Sequence, residues 1–149
     1  MHTCELHTLP GTPGCFICDN NQSNPRALRL KLLWDEANGT VRIPITPDDT
    51  WCGFQDVVHG GLIASVLDEA MAWAAKQSVG DWAFTADYHL RFKKAVAPHK
   101  SYEAVGKIVR DSGRKLEAEA HLMAEDGTIL VQASAIFIPA KGRARTRTA

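Results

Sequence analysis

Val57-Val58-His59-Gly60-Gly61-Leu62-Ile63-Ala64-Ser65-Val66-Leu67-Asp68-Glu69-Ala70 is the stretch on which the fold turns. From Gly60 to Ser78, Leu62, Ile63, Val66, Leu67, Ala70, Met71, Trp73 and Ala74 recur at helical spacing, and Ala64, Ala72 and Ala75 fill much of the remaining circumference. A helix that is apolar nearly all round is a buried one. It ends near Gly80-Asp81. At its start, Gly60 and Gly61 remove side chains where the first backbone N–H groups have no helical partner. Those donors, with the positive end of the helix dipole, suit an oxyanion or a polarised carbonyl. Asp68 lies two turns further on. A carboxylate in such a helix costs several kcal/mol to bury unless it is paired or opens onto a cleft, so it needs a reason.

His59 and Asp68 are nine residues apart, which along a helix is roughly 13 Å of rise and about half a turn. Within one chain they do not easily meet at one reacting atom. If both act on one substrate they come from different subunits, and the spacing predicts a site at a dimer interface.

Outward from the helix the period changes to two. On the N-terminal side, Leu28, Leu30 and Leu32 alternate with Arg29, Lys31 and Leu33, which predicts a strand. Asn38-Gly39 signals a hairpin turn and Thr40–Ile45 the returning strand. On the C-terminal side, Phe84, Ala86, Tyr88, Leu90 and Phe92 face one way, and Thr85, Asp87, His89, Arg91 and Lys93 the other. Strands are predicted over Tyr102–Arg110, Lys115–Glu125 and Thr128–Ile138, joined by Asp111-Ser112-Gly113 and Glu125-Asp126-Gly127. Two strands, one buried helix and four strands predict an α+β domain: a curved antiparallel sheet wrapped around the helix. Such a sheet keeps an edge and an outer face that a second subunit can use.

Residues 1–25, rich in Pro, Gly and Asn, are expected to form an irregular leader; 26–140 are the domain, and Lys141–Ala149 a basic disordered tail. The 149 residues fit one domain large enough to build a core without staples. Lys+Arg and Asp+Glu number 17 each, so no global attraction to nucleic acid or an anionic membrane is expected. The N-terminus lacks the basic and apolar regions of a secretory signal, and no apolar run is long enough to span a bilayer, so the expected location is the cytoplasm. In a reducing compartment Cys4, Cys15, Cys18 and Cys52 do not suggest a disulfide scaffold. Cys4-x2-His7 and Cys15-x2-Cys18 have the pairwise spacings of zinc ligands. Structural zinc, free structural thiols and redox work all fit that pattern. Zinc hydrolysis is not expected, because these residues lie far in sequence from His59.

His59-Gly60-Gly61 followed by Asp68 resembles the signature of the hotdog-fold acyl-CoA thioesterases of the phenylacetate-pathway and 4-hydroxybenzoyl-CoA type. The resemblance also covers Phe84–Lys93 and, weakly, Cys15-Phe16-Ile17-Cys18 with Asn24-Pro25-Arg26-Ala27-Leu28, a leader found in some members. It implies a hotdog fold assembled as a dimer or dimer of dimers, hydrolysing an acyl-CoA to carboxylate and CoA without a catalytic cofactor. The Gly60 N–H would polarise the thioester carbonyl, and His59 would shape that pocket. Asp68 of the other subunit would be nucleophile or general base, with Thr85 assisting the water. Gly61 and Gln55 are candidates for holding substrate, and Arg91, Lys93 and Lys94 for the CoA phosphates. Glu69 is an alternative to Asp68, since some branches use Glu; Asp68 falls at the matching offset.

Plainer roles exist for each. Asp68 read structurally is a buried carboxylate bonded to backbone, His59 a residue that orders the helix start, and Thr85 a surface position. At the level of function, a hotdog dehydratase or hydratase and a non-catalytic acyl-CoA-binding module are the rivals. A pure binder has no use for a buried carboxylate, and thioester hydrolysis followed by free-thiol release separates all three.

Overall fold

A computed structural model describes residues 5–140. Cys4 and the basic tail 141–149 therefore lie outside the described residues. The element order is β1 (Leu6–Thr8), β2 (Leu33–Asp35), β3 (Thr40–Ile45), a 3-10 turn (Asp49–Trp51), α1 (Gly60–Val79), β4 (Ala83–Phe92), β5 (Tyr102–Asp111), β6 (Leu116–Ala124) and β7 (Ile129–Pro139). One antiparallel sheet of seven strands runs in the order β1-β2-β3-β5-β6-β7-β4. α1 packs against β3, β4, β5, β6 and β7. This is the α+β hotdog arrangement, a curved antiparallel sheet around one long buried helix.

The helix is where its pattern places it. Ile63, Val66, Leu67, Ala70, Met71, Trp73, Ala74 and Ala75 are buried. His59 caps the N-terminus, and Gly80 closes the C-terminus at φ 76°, its N–H donating to the Lys76 carbonyl. The sheet comes closest at Gly106 of β5, where a Cβ would stand 2.7 Å from the Ala70 backbone. Only glycine admits the helix there. Around this contact Val41, Ile43, Leu116, Leu122, Val131 and Phe137 are fully or almost fully buried.

Three expectations change. The leader is not wholly irregular: Leu6–Thr8 pairs with Leu33–Asp35 and extends the sheet by a strand. The strand expected from Leu28 begins only at Leu33. Before it, Arg29 has φ 54°, and the Leu28 and Leu30 N–H groups donate to Phe16 and Ile17 carbonyls. The alternating leucines therefore seat the leader on the domain, and the left-handed residue among them breaks any ladder. Finally, β4 does not keep one phase. Its register against β7 shifts between Thr85 and Asp87, so Thr85 and Tyr88 both reach α1. A bulge is what brings two residues an odd number apart to one face.

β4 ends the sheet. Among the described residues its one strand partner is β7, leaving the opposite edge free over ten residues. Phe84 and Phe92 on this strand are 68% and 50% exposed, unusual for large apolar side chains on a free edge.

Candidate functional site

The loop before α1 is tied down by backbone bonds. Gly53 N–H donates to Val57 O, Val58 N–H to Val96 O, and His59 N–H to Trp51 O. They deliver His59 in an extended conformation (φ −59°, ψ 127°), and its Nδ1 accepts the Gly61 N–H at 2.8 Å. The Leu62 and Ile63 N–H groups share the His59 carbonyl. The Gly60 N–H finds no acceptor among the described residues. Of the two glycines, then, Gly60 keeps a free donor. Gly61 does not, and its expected substrate-holding role as a donor is closed by its bond to the histidine.

That donor opens on a cavity of about 610 Å³ lined by Phe54, Val57, His59, Gly60, Phe92 and Lys93, among others. The lining is mostly apolar with Lys93 and Lys94 on one side, the composition expected of a pocket for an acyl chain attached to an anion. Neither Asp68 nor Thr85 lines it.

Asp68 lies on α1 facing the other half of β4. Its Oδ1 accepts from Thr85 Oγ1 at 2.6 Å. The hydroxyl of Tyr88 donates to the Ala64 carbonyl at 2.7 Å, one helical turn earlier. Burial holds the Asp68 carboxyl above the ordinary carboxylate value, and the Thr85 hydrogen bond offsets only part of that rise. Burial, with the Asp68 charge, also pushes the Tyr88 phenol up, so it stays a neutral donor. Asp68 is half-buried rather than sealed, so it can face a ligand.

Glu69 points elsewhere. It accepts from Trp73 Nε1 at 3.1 Å and from Cys15 Sγ at 3.6 Å. The choice between neighbouring carboxylates is thereby narrowed: Asp68 carries the hydroxyl partner and Glu69 the leader.

Other expected residues separate. Lys93 joins the Gly60 cavity, but Arg91 lies on the outer face of the sheet, in a cleft of about 740 Å³ with Arg42, Lys107 and His121. Gln55 is exposed in the loop and lines neither space. Of the four zinc-type residues, Cys15 and Cys18 come together, His7 sits on β1 with its Nε2 3.7 Å from Glu36, and Cys4 lies outside the described residues. Sequence reading did not single out Tyr88 or Phe54 as site residues, whereas Lys94, a sequence candidate for the CoA phosphates, does line the Gly60 cavity. The aromatic at the end of β4, Phe92, was legible only as one of an alternating set.

The sequence matches the model of a family described as the thioesterase superfamily over residues 55–131. A solved structure of a thioesterase superfamily protein is 25% identical with a TM-score of 0.70; the match covers 78% of this chain and 56% of that one. This chain thus spans little more than half of that protein's length. The PaaI protein from the phenylacetic acid degradation operon of E. coli superposes with a TM-score of 0.71 at 17% identity, over 83% of this chain and 88% of its own. An acyl-CoA hydrolase from Staphylococcus aureus, solved with butyryl coenzyme A and coenzyme A, gives 0.67 at 13% identity, over 73% and 69%. No curated protein sequence matches.

Proposed function

This chain belongs to the thioesterase superfamily, and from that premise we propose that it hydrolyses an acyl-CoA thioester to the free carboxylate and CoA. The observation that carries the reading is the Asp68–Thr85 pair: a half-buried carboxylate raised above its ordinary value, oriented by a hydroxyl at 2.6 Å. A carboxylate so tuned is a better proton acceptor than one in water. Asp68 takes a proton from water, the water oxygen adds to the thioester carbon, and the resulting oxyanion is held by the Gly60 N–H. Collapse breaks the C–S bond, and the CoA thiolate leaves with the proton. Direct attack by Asp68 through an acyl-carboxylate intermediate uses the same groups. Lys93 and Lys94, beside the pocket, meet the anionic end of the substrate.

In this proposal each site is shared between two chains. Support comes from β4, whose free edge Ala83–Phe92 has Thr85 near one end and Phe92 at the other. Antiparallel pairing of two such edges about a two-fold near the strand's midpoint sets the Thr85 end of one opposite the Phe92 end of the other. Asp68 of one chain then approaches the Gly60 cavity of its partner, and the exposed Phe84 and Phe92 are covered. The separation of the two halves within one chain is what this arrangement explains.

None of the described helices is long and apolar enough to cross a membrane. Cys15, Cys18 and Cys52 carry free thiols, which suits the cytoplasm. The test is release of free thiol from short, long and aromatic acyl-CoAs by the purified protein. Turnover of at least one class is expected. CoA binding with no turnover of any class would replace the enzyme with a binding module.

A further inference from the structure

We propose that Cys15, Cys18 and Glu69 form a zinc site that fastens the leader to α1 beside the catalytic carboxylate. The two sulfurs and a Glu69 oxygen lie within 4.8 Å of one another. Around a tetrahedral zinc, bond lengths of about 2.3 Å to sulfur and 2.0 Å to oxygen put two sulfurs roughly 3.8 Å apart and a sulfur and an oxygen roughly 3.5 Å apart. The Cys15 Sγ to Glu69 Oε1 distance is already 3.6 Å, and small side-chain rotations bring the rest within range.

The surroundings are those of sulfur ligands. Three backbone N–H groups aim at sulfur: Ile17 and Cys18 at Cys15 Sγ, each at 3.4 Å, and Thr12 at Cys18 Sγ at 3.2 Å. Backbone donors aimed at both sulfurs are the outer hydrogen bonds that orient metal-bound sulfur. The loop that supplies them is held by Gly11, where φ is 72° and a Cβ would stand 2.4 Å from the Cys18 carbonyl oxygen. It is held again by the buried Asp19, whose carboxylate accepts from the Gly14, Asn21 and Asn24 N–H groups. On the other side, Trp73 Nε1 donates to Glu69 Oε1 and fixes its orientation, as outer hydrogen bonds do for metal-ligating carboxylates.

The donor set itself suits a dication: two sulfurs and a carboxylate oxygen converge within 4.8 Å. Two thiol protons leave as two Zn–S bonds form, and water completes the tetrahedron. His7 is not a member, since it stands on β1 facing Glu36. The site is structural rather than hydrolytic: its ligands are Glu69 and the leader, not Asp68.

The site is independent of thioester hydrolysis, and its test uses no substrate. Untagged full-length protein, purified in reductant without chelator, is expected to hold about one zinc per chain by elemental analysis. Cobalt(II) added to the zinc-stripped protein is expected to give a near-ultraviolet thiolate-to-cobalt band. The Cys15→Ser, Cys18→Ser double variant should lose both signals. Glu69→Gln should keep the fold by circular dichroism and bind zinc at least about tenfold more weakly. The proposal is overturned by wild-type protein with neither zinc nor a cobalt band, or by the mass of a Cys15–Cys18 disulfide in its place. It is equally overturned by zinc that survives the double variant, or by an unchanged zinc affinity in Glu69→Gln. If the double variant fails to fold, the wild-type cobalt band and Glu69→Gln decide.

Discussion

The two ends of one nine-residue interval, Gly60 and Asp68, are built in opposite ways. Gly60 has no side chain, lies at the positive end of the helix and opens on an apolar cavity with lysines at its rim. Asp68 is an acid in the helix middle, partly desolvated, with a single hydroxyl donor. One end is made to receive negative charge and the other to accept a proton. In the proposed mechanism each is half of a hydrolytic site, and one chain holds them on separate surfaces. The difference is the reason the proposed catalytic unit is a pair of chains rather than one fold.

Breaking the acidic half is expected to have the largest effect. Asp68→Asn keeps the Thr85 hydrogen bond, because the amide oxygen can still accept, but it can neither take a proton nor attack. Turnover should fall about 10³- to 10⁴-fold, measured as thiol release at saturating substrate. Stability should move the other way. The folded carboxyl sits above its ordinary value of 3.8, so ionisation opposes folding as pH rises through the interval from that value to the folded one. At neutral pH the variant should melt no lower than wild type. Any advantage should vanish in acid, where both side chains are neutral. A variant that melts much lower and keeps its turnover would make Asp68 a structural residue.

The donor half is tested by Gly60→Pro. Gly60 is the first helical residue, a position that tolerates proline, and His59 before it is already extended. The substitution therefore removes the N–H with little cost to the helix. Loss of one oxyanion donor should lower kcat about 10²-fold, with Tm nearly unchanged. Unaltered kcat would mean that the carbonyl is polarised elsewhere.

Thr85→Val should have a smaller and more diagnostic effect. Turnover falls about tenfold, less than the loss expected for the general base itself. Because the Thr85 hydroxyl lowers the Asp68 value, its removal raises it further, and the acid limb of kcat/KM should shift to higher pH. An unmoved limb would detach Thr85 from the titrating group.

Much of this arrangement is legible in the sequence because it rests on periodicity. An apolar helix with one acid, bounded by His59-Gly60-Gly61 and Gly80, needs no partner to be recognised. Of the strands after it, β6 and β7 alternate along most of their length. What is not legible depends on contacts between distant segments. The bulge after Thr85 inverts the phase of β4 and turns a residue of the apparent polar face toward Asp68. The leucines at 28, 30 and 32 alternate like a strand, but they bind the leader instead of a neighbouring strand. Arg91 and Lys93 look equivalent in sequence, yet they open on different faces of the sheet. The bond from Cys15 to Glu69 joins residues 54 positions apart, and no local pattern announces it.

The claim that the two halves meet across chains is tested most directly by mixing them. Asp68→Asn and Gly60→Pro proteins, each nearly inactive, are unfolded, combined in equal amounts and refolded, and size-exclusion chromatography confirms that dimers reform. Random pairing makes about half the dimers mixed, and each mixed dimer collects both lesions in one site and none in the other. Turnover should return to about a quarter of the wild-type value. Well-formed dimers that recover nothing would contradict the shared site.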